Sequence, residues 1–67
     1  MENKQLICKK LVPVLQLTRN LYDLIDLDYD PDKEVVTATY ANGSKKEINV
    51  RMDSGTAMIR DIILRAV

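Results

Sequence analysis

The chain has 67 residues with ten Lys or Arg, ten Asp or Glu, a single Cys and no His, Trp or Phe. A lone cysteine without histidine excludes zinc sites built from Cys and His, and it removes the commonest general base. The net charge is zero but segregated, at +3 over residues 1–22, −5 over 23–34 and +2 over 35–67. This balance lacks the overall basic footprint of a nucleic-acid-binding protein.

The first residues do not resemble a targeting or membrane segment. Met1-Glu2-Asn3-Lys4 is not followed by the apolar stretch and cleavage site of a signal peptide. No window approaches the roughly 18 apolar residues of a membrane span. We therefore expect one domain over 1–67 in the cytoplasm, without a membrane partner.

The first predicted element is a helix over residues 3–22. Ile7, Leu11, Leu15 and Tyr22 recur near 3.6-residue spacing. Pro13 interrupts the pattern because its ring clashes with the preceding turn and its nitrogen donates no hydrogen bond. Two arrangements stay open. The helix kinks at this proline, or a short helix ends near residue 11 and a second one begins with the proline in its first turn.

Cys8 lies in the same predicted helix, between Ile7 and the pair Lys9-Lys10. One interpretation is a small, partly buried apolar residue. The alternative is a reactive thiol, since neighbouring lysines favour the thiolate. In either case a single unpaired cysteine suits a reducing compartment.

Residues 24–30 alternate between apolar and acidic side chains, which is typical of a strand with one buried (dry) face and one solvent-exposed (wet) face. Ile25, Leu27 and Tyr29 form the predicted dry face. Asp30-Pro31-Asp32-Lys33 predicts a type I turn. A two-residue loop there would place Leu27 opposite Val36 and Ile25 opposite Ala38.

Two further strands are predicted over residues 34–40 and 45–52, the latter with Ile48, Val50 and Met52 on one face. Asn42-Gly43 is a strong hairpin signal. A two-residue loop would put polar residues on the dry face, so we predict a three-residue loop, 41–43, with Gly43 left-handed in a bulge. This register places Val36 opposite Ile48.

Residues 54–67 predict a second helix, capped by Asp53 or Ser54. One apolar row contains Met58, Ile62 and Ala66, and Asp61 and Arg65 form an i,i+4 pair on the wet side. A second apolar row contains Ile59, Ile63 and Val67, and Leu64 lies on the wet side.

The predicted fold class is therefore α+β, in the order α-β-β-β-α, with a three-stranded antiparallel meander and both helices packed on one face. The core of a domain of this size is too small to bury all of its large aliphatic side chains. The apolar helix residues that stay outside the core therefore predict a partner surface. We expect a homodimer or a complex with another protein. The predicted interface residues are Leu6, Leu17, Met58, Ile62 and Leu64.

Asp26, Asp28 and Asp30 have the spacing of the first three ligands of a calcium loop. Pro31 stands where that loop needs glycine and Thr37 where it needs glutamate, and carboxylates along a strand are too spread to converge on one ion. Similar, solvated acids also offer no pKa contrast for catalysis. We expect no metal, cofactor, small-molecule substrate or catalysis. A solvated face and an acidic docking face for a basic partner stay open.

In element order and length the chain resembles the double-stranded-RNA-binding domain. That family places a basic cluster at the start of its last helix, where this chain has Asp53-Ser54-Gly55-Thr56-Ala57-Met58. The turn between the first two predicted strands of this chain is also acidic, and none of the family's binding residues has a counterpart here. The resemblance implies nucleic-acid binding as the alternative function. Its footprint would consist of Lys9, Lys10, Lys45, Lys46 and Arg51.

Overall fold

A computed structural model describes residues 2–67. It has five elements, in the order α1 (Lys4–Leu15), β1 (Leu24–Asp30), β2 (Val35–Tyr40), β3 (Lys45–Asn49) and α2 (Gly55–Ala66). The strands form one antiparallel sheet in the order β1-β2-β3. Residues of both helices share a single core with one face of this sheet. The predicted α-β-β-β-α fold is therefore confirmed.

The first helix is shorter than predicted. Asn3 caps it by accepting a hydrogen bond from the Leu6 amide at 3.0 Å, and it ends at Leu15 with Pro13 inside its last turn. Neither a kinked helix that continues to residue 22 nor a second helix forms. Because proline supplies no N–H, the last turn is already weakened. The Thr18 hydroxyl then donates to the Leu15 carbonyl at 2.6 Å, within the turns that follow the helix.

The dry face of β1 differs from the prediction at Ile25. Leu24 pairs with Tyr40 and Asp26 with Thr39, so the residue between them is an extra one in a β-bulge. The bulge turns Leu24 into the core, where it is fully buried, and leaves Ile25 54% exposed. Alternation alone predicted the reverse because it assumes an unbroken strand.

The predicted two-residue loop between β1 and β2 is wrong. Leu27 lies opposite Ala38, and the loop contains four residues, 31–34. The Asp30 carboxylate accepts from the Asp32 and Lys33 amides at 2.9 and 3.2 Å, and Glu34 closes the loop in the left-handed region at φ 56°. The register error is two residues, which keeps Leu27, Val36 and Ala38 on their predicted buried face because the strand period is two.

The second hairpin has the predicted register. Val36 lies opposite Ile48, and Gly43 takes φ 87° in the three-residue loop. A side chain at this left-handed position would be strained, which explains the glycine. However, β3 ends at Asn49, three residues earlier than predicted, and Met52 lies outside the sheet with 92% of its surface exposed.

The second helix begins after Ser54, whose hydroxyl accepts from the Ala57 amide at 3.2 Å. Its predicted row of Met58, Ile62 and Ala66 is buried. The Glu2 carboxylate accepts from the Gly55 amide at 2.8 Å, which ties the N-terminal segment to the start of the helix. A Cβ atom on this glycine would collide with that carboxylate, so a side chain here would displace Glu2 from the start of the helix.

Cys8 is fully buried in the core. Burial raises the pKa of its thiol to about 11, with the neighbouring Lys9 acting weakly in the opposite direction. The thiol is therefore protonated at neutral pH, which favours the packing interpretation over a reactive cysteine.

Candidate interaction surface

The structure separates the five residues predicted to form a partner interface. Leu6, Leu17 and Leu64 are exposed to 48%, 87% and 66%. Met58 and Ile62 are fully buried in the domain's own core. Their assignment to an interface is therefore corrected, because the side that they occupy on α2 packs against the sheet of the same chain.

The exposed side of α1 carries an apolar stripe. Leu6, Lys10, Val14 and Leu17 follow one another at steps of four, four and three residues, which places them along one side of a helix. This side lies opposite the buried Cys8 and Leu15. Leu17 lies just beyond the helix, where its amide still donates to the Val14 carbonyl at 3.2 Å. The stripe is about 16 Å long at the helical rise of 1.5 Å per residue.

The exposed side of α2 repeats this arrangement. Arg60, Ile63, Leu64 and Val67 have the i, i+3, i+4, i+7 spacing of one helix side, opposite the buried row of that helix. Both helices pack on the same face of the sheet, so both stripes point away from it. Together these eight residues are called the outer helix surface: Leu6, Lys10, Val14, Leu17, Arg60, Ile63, Leu64 and Val67.

The three acids of β1 have partners within the chain. The Lys9 ammonium lies 2.9 Å from the Asp26 carboxylate and 3.7 Å from that of Asp28, and the hydrogen bond to Asp26 raises the pKa of the lysine. Asp30 caps its own turn, as described above. An acidic docking face stays a prediction, but much of its charge is already used by intramolecular contacts.

Two glutamines cover the outer edge of β1. The side-chain carbonyl of Gln5 accepts from the backbone amide of Tyr29 at 3.0 Å, and the side-chain amide of Gln16 donates to the backbone carbonyl of Leu24 at 2.7 Å. An uncovered edge strand offers unpaired groups to other chains. These side chains therefore protect the edge against strand pairing. Sequence reasoning missed them because each contact joins residues that are distant in the chain.

The predicted nucleic-acid footprint is scattered in the structure. Lys9 pairs with the acids of β1, Lys46 donates to the Val67 carbonyl at 3.2 Å, and Arg51 lies 3.4 Å from the Glu34 carboxylate. The start of α2 already holds the Glu2 carboxylate. The positions that resemble the RNA-binding family therefore present no basic cluster.

The remaining features add no obvious chemistry. An open cavity of about 470 Å³ at the start of α1 is lined by residues 2–5, Tyr29 and Pro31. Within residues 2–67, no group of three or more His, Cys, Asp or Glu side chains has an arrangement that could hold a metal ion. In the same range, neither twelve-residue helix is long and apolar enough to cross a membrane.

The carboxyl group of Asp53, which precedes α2, forms a pair with that of Asp61 in the middle of the helix. The hydrogen bond that they can share when one is protonated raises the pKa of Asp53, and Asp53 Oδ2 is buried with no hydrogen-bond partner among residues 2–67. A raised pKa means that the folded state holds this proton more tightly than the unfolded chain. The resulting stability is present below the ordinary pKa of 3.8 and is lost as the pH rises through the raised value.

We expect Asp53→Asn to raise the melting temperature at pH 7, because it removes the repulsion from Asp61 and Asn can donate a hydrogen bond. The gain should shrink as the pH falls through the raised pKa of Asp53, because the wild-type carboxyl group then becomes protonated. Thermal melts followed by circular dichroism between pH 3 and 7 measure this difference. A variant less stable than wild type at pH 7 would contradict the prediction.

Comparison of the chain with known protein families, curated proteins and solved structures finds no match in any of the three.

Proposed function

We propose that this chain is a small, non-catalytic protein–protein interaction module that docks through its outer helix surface. The observation that carries the proposal is the leucine-rich side of α1, which lies opposite the side that packs on the sheet. Leu6, Val14 and Leu17 take no part in the core of their own domain. Exposed apolar side chains that follow one side of a helix in a small protein favour a binding role.

The size of the molecule is compatible with such a role. A standard interface buries about 800 Å² on each partner. The accessible surface of the chain is 4556 Å², so an interface of that size would cover about a sixth of it. Two twelve-residue helices on one face of the sheet can supply this area. The occupant is a second copy of the chain or another protein.

We expect displayed random peptides, selected on the immobilised protein, to yield binders that require the outer helix surface. The double variant Leu6→Glu/Leu17→Glu should reduce their binding at least tenfold, because each change places a charge in an apolar contact. Met52→Glu is the control, since Met52 is 92% exposed and is not part of the outer helix surface. Biolayer interferometry measures the affinities.

Binders that tolerate the double variant, or that lose affinity with the control, would contradict the proposal. Sedimentation velocity at high micromolar concentration then separates the two occupants. A dimer that Leu17→Glu dissociates identifies a second copy as the occupant. A monomer excludes the second copy at that concentration and leaves another protein.

A further inference from the structure

The two helices, together with the turns that follow α1, carry mostly positive charge. Residues 3–22 contain Lys4, Lys9, Lys10 and Arg19 and no acid, and α2 contains Arg60 and Arg65 against Asp61. These two segments therefore contain six cationic side chains and one acidic side chain. The balancing carboxylates lie mainly on β1 and in the turn that follows it.

Most of these cations form no ion pair within residues 2–67. Lys9 pairs with Asp26, and the Lys4 ammonium lies 5.7 Å from the centre of the Tyr29 ring. Among residues 2–67, the other four form no ion pair. These four are Lys10, Arg19, Arg60 and Arg65. Two of them, Lys10 and Arg60, lie inside the apolar stripes, so the outer helix surface is both apolar and cationic.

This charge disfavours a second copy as the occupant. A two-fold dimer places the same patch on both sides of the contact. Lys10 and Arg60 of one copy would then meet an equally cationic surface, and like charges brought together at an interface are costly. No acid belongs to the outer helix surface, and the one acid of the two helices, Asp61, lies beside it on α2.

Two other anionic occupants fit less well. Helices that lie on membranes use Trp and Phe besides Leu, and this chain contains neither aromatic residue. Nucleic-acid backbones are bound by phosphate contacts, to which the exposed Leu6 and Leu17 would add nothing. An apolar stripe with cations in it instead matches a protein segment with apolar anchors and acidic flanks.

We propose that the occupant of the outer helix surface is an acidic amphipathic helix of another protein. This inference rests on the proposed function and specifies the chemistry of its partner. The apolar anchors of that helix pack against Leu6, Leu17 and Leu64, and its carboxylates pair with Lys10 and Arg60. Such a helix presents its anchors along one side at i, i+3, i+4 and i+7 spacing.

The test uses two synthetic amphipathic peptides with the same leucine pattern, one flanked by glutamate and the other by lysine. We expect the glutamate peptide to bind the full chain at least tenfold more tightly than the lysine peptide. Its affinity should also fall several-fold between about 50 mM and about 500 mM salt, because the pairs are screened. Isothermal titration calorimetry measures both effects.

Charge reversal on the protein supplies the decisive arm. Lys10→Glu/Arg60→Glu should exchange the preference, so that the lysine peptide binds better. The matched control, Lys33→Glu/Lys45→Glu, makes the same change in net charge outside the outer helix surface. It should keep the wild-type preference for the glutamate peptide. Equal affinity for both peptides, or an exchanged preference in the control, would overturn the inference.

The failure of this inference can be told apart from failure of the proposed function. Selected peptides that require Leu6 and Leu17 but carry no acidic excess would refute only the acidic partner. Binding to anionic vesicles or to duplex RNA without binding to the glutamate peptide would also refute it. Selected binders that tolerate Leu6→Glu/Leu17→Glu would refute the proposed function itself.

Discussion

Ile62→Asp is expected to unfold the domain. Ile62 is fully buried in the middle of the core row of α2. An unpaired carboxylate at that position costs several kcal/mol. Small domains have only about 5–15 kcal/mol of total stability, and one of this size lies at the low end. The variant should therefore lose its cooperative thermal transition by circular dichroism and its dispersed amide resonances by NMR.

The neighbouring residue provides the control. Ile63 is the same residue type on the outer side of the same helix and is 44% exposed. Ile63→Asp should change the free energy of unfolding by about 1 kcal/mol or less, as is usual for surface substitutions. If the two variants melted alike, the orientation of α2 on the sheet would have to be revised.

A second large effect is expected at the bulge of β1. Leu24→Ala should destabilise the domain by about 2–5 kcal/mol, because it leaves a cavity beside fully buried neighbours. Ile25→Ala should cost about 1 kcal/mol or less, since this side chain is half exposed on the edge strand. Urea unfolding followed by circular dichroism gives both values.

This pair of variants tests the difference between sequence and structure directly. Unbroken alternation would bury Ile25 and expose Leu24. The bulge reverses the two residues. A larger loss of stability in Ile25→Ala than in Leu24→Ala would show that β1 continues without the bulge.

The elements with the clearest periodicity were predictable from sequence. The buried row Met58, Ile62 and Ala66 and its Ser54 cap follow from local rules of helix geometry. The Asn42-Gly43 hairpin was also predictable, because only a three-residue loop with a left-handed glycine keeps apolar residues paired. In both cases a local pattern and the demands of burial agree.

The predictions failed where a single residue shifts the pattern. The first helix was predicted too long because its apolar spacing continues beyond Pro13. The helix instead ends at Leu15, and the Thr18 hydroxyl donates to the Leu15 carbonyl in the turn that follows. The first hairpin register depended on side-chain caps from Asp30 and a left-handed Glu34, which is a non-glycine residue in that conformation. The alternating pattern of residues 24–30 predicts neither the number of residues in the following loop nor the bulge in β1.

The candidate surface was predicted only in part. Leu6, Leu17 and Leu64 were recognised as apolar residues in excess of the core, whereas Met58 and Ile62 were assigned to the same surface in error. Periodicity identifies an apolar side of a helix but does not say what covers it. The protection of the β1 edge by Gln5 and Gln16 was not predictable, because it depends on how α1 lies across the strand.

By itself, the sequence determined the order of the elements, the apolar spacing within each of them and the separation of charge along the chain. These properties are local, since side-chain spacing and turn chemistry act over a few residues. Only the tertiary structure decided which apolar sides become core and which stay exposed. It also decided that Lys9 is neutralised by Asp26 while Lys10 points outward, because these outcomes depend on contacts between residues far apart in sequence.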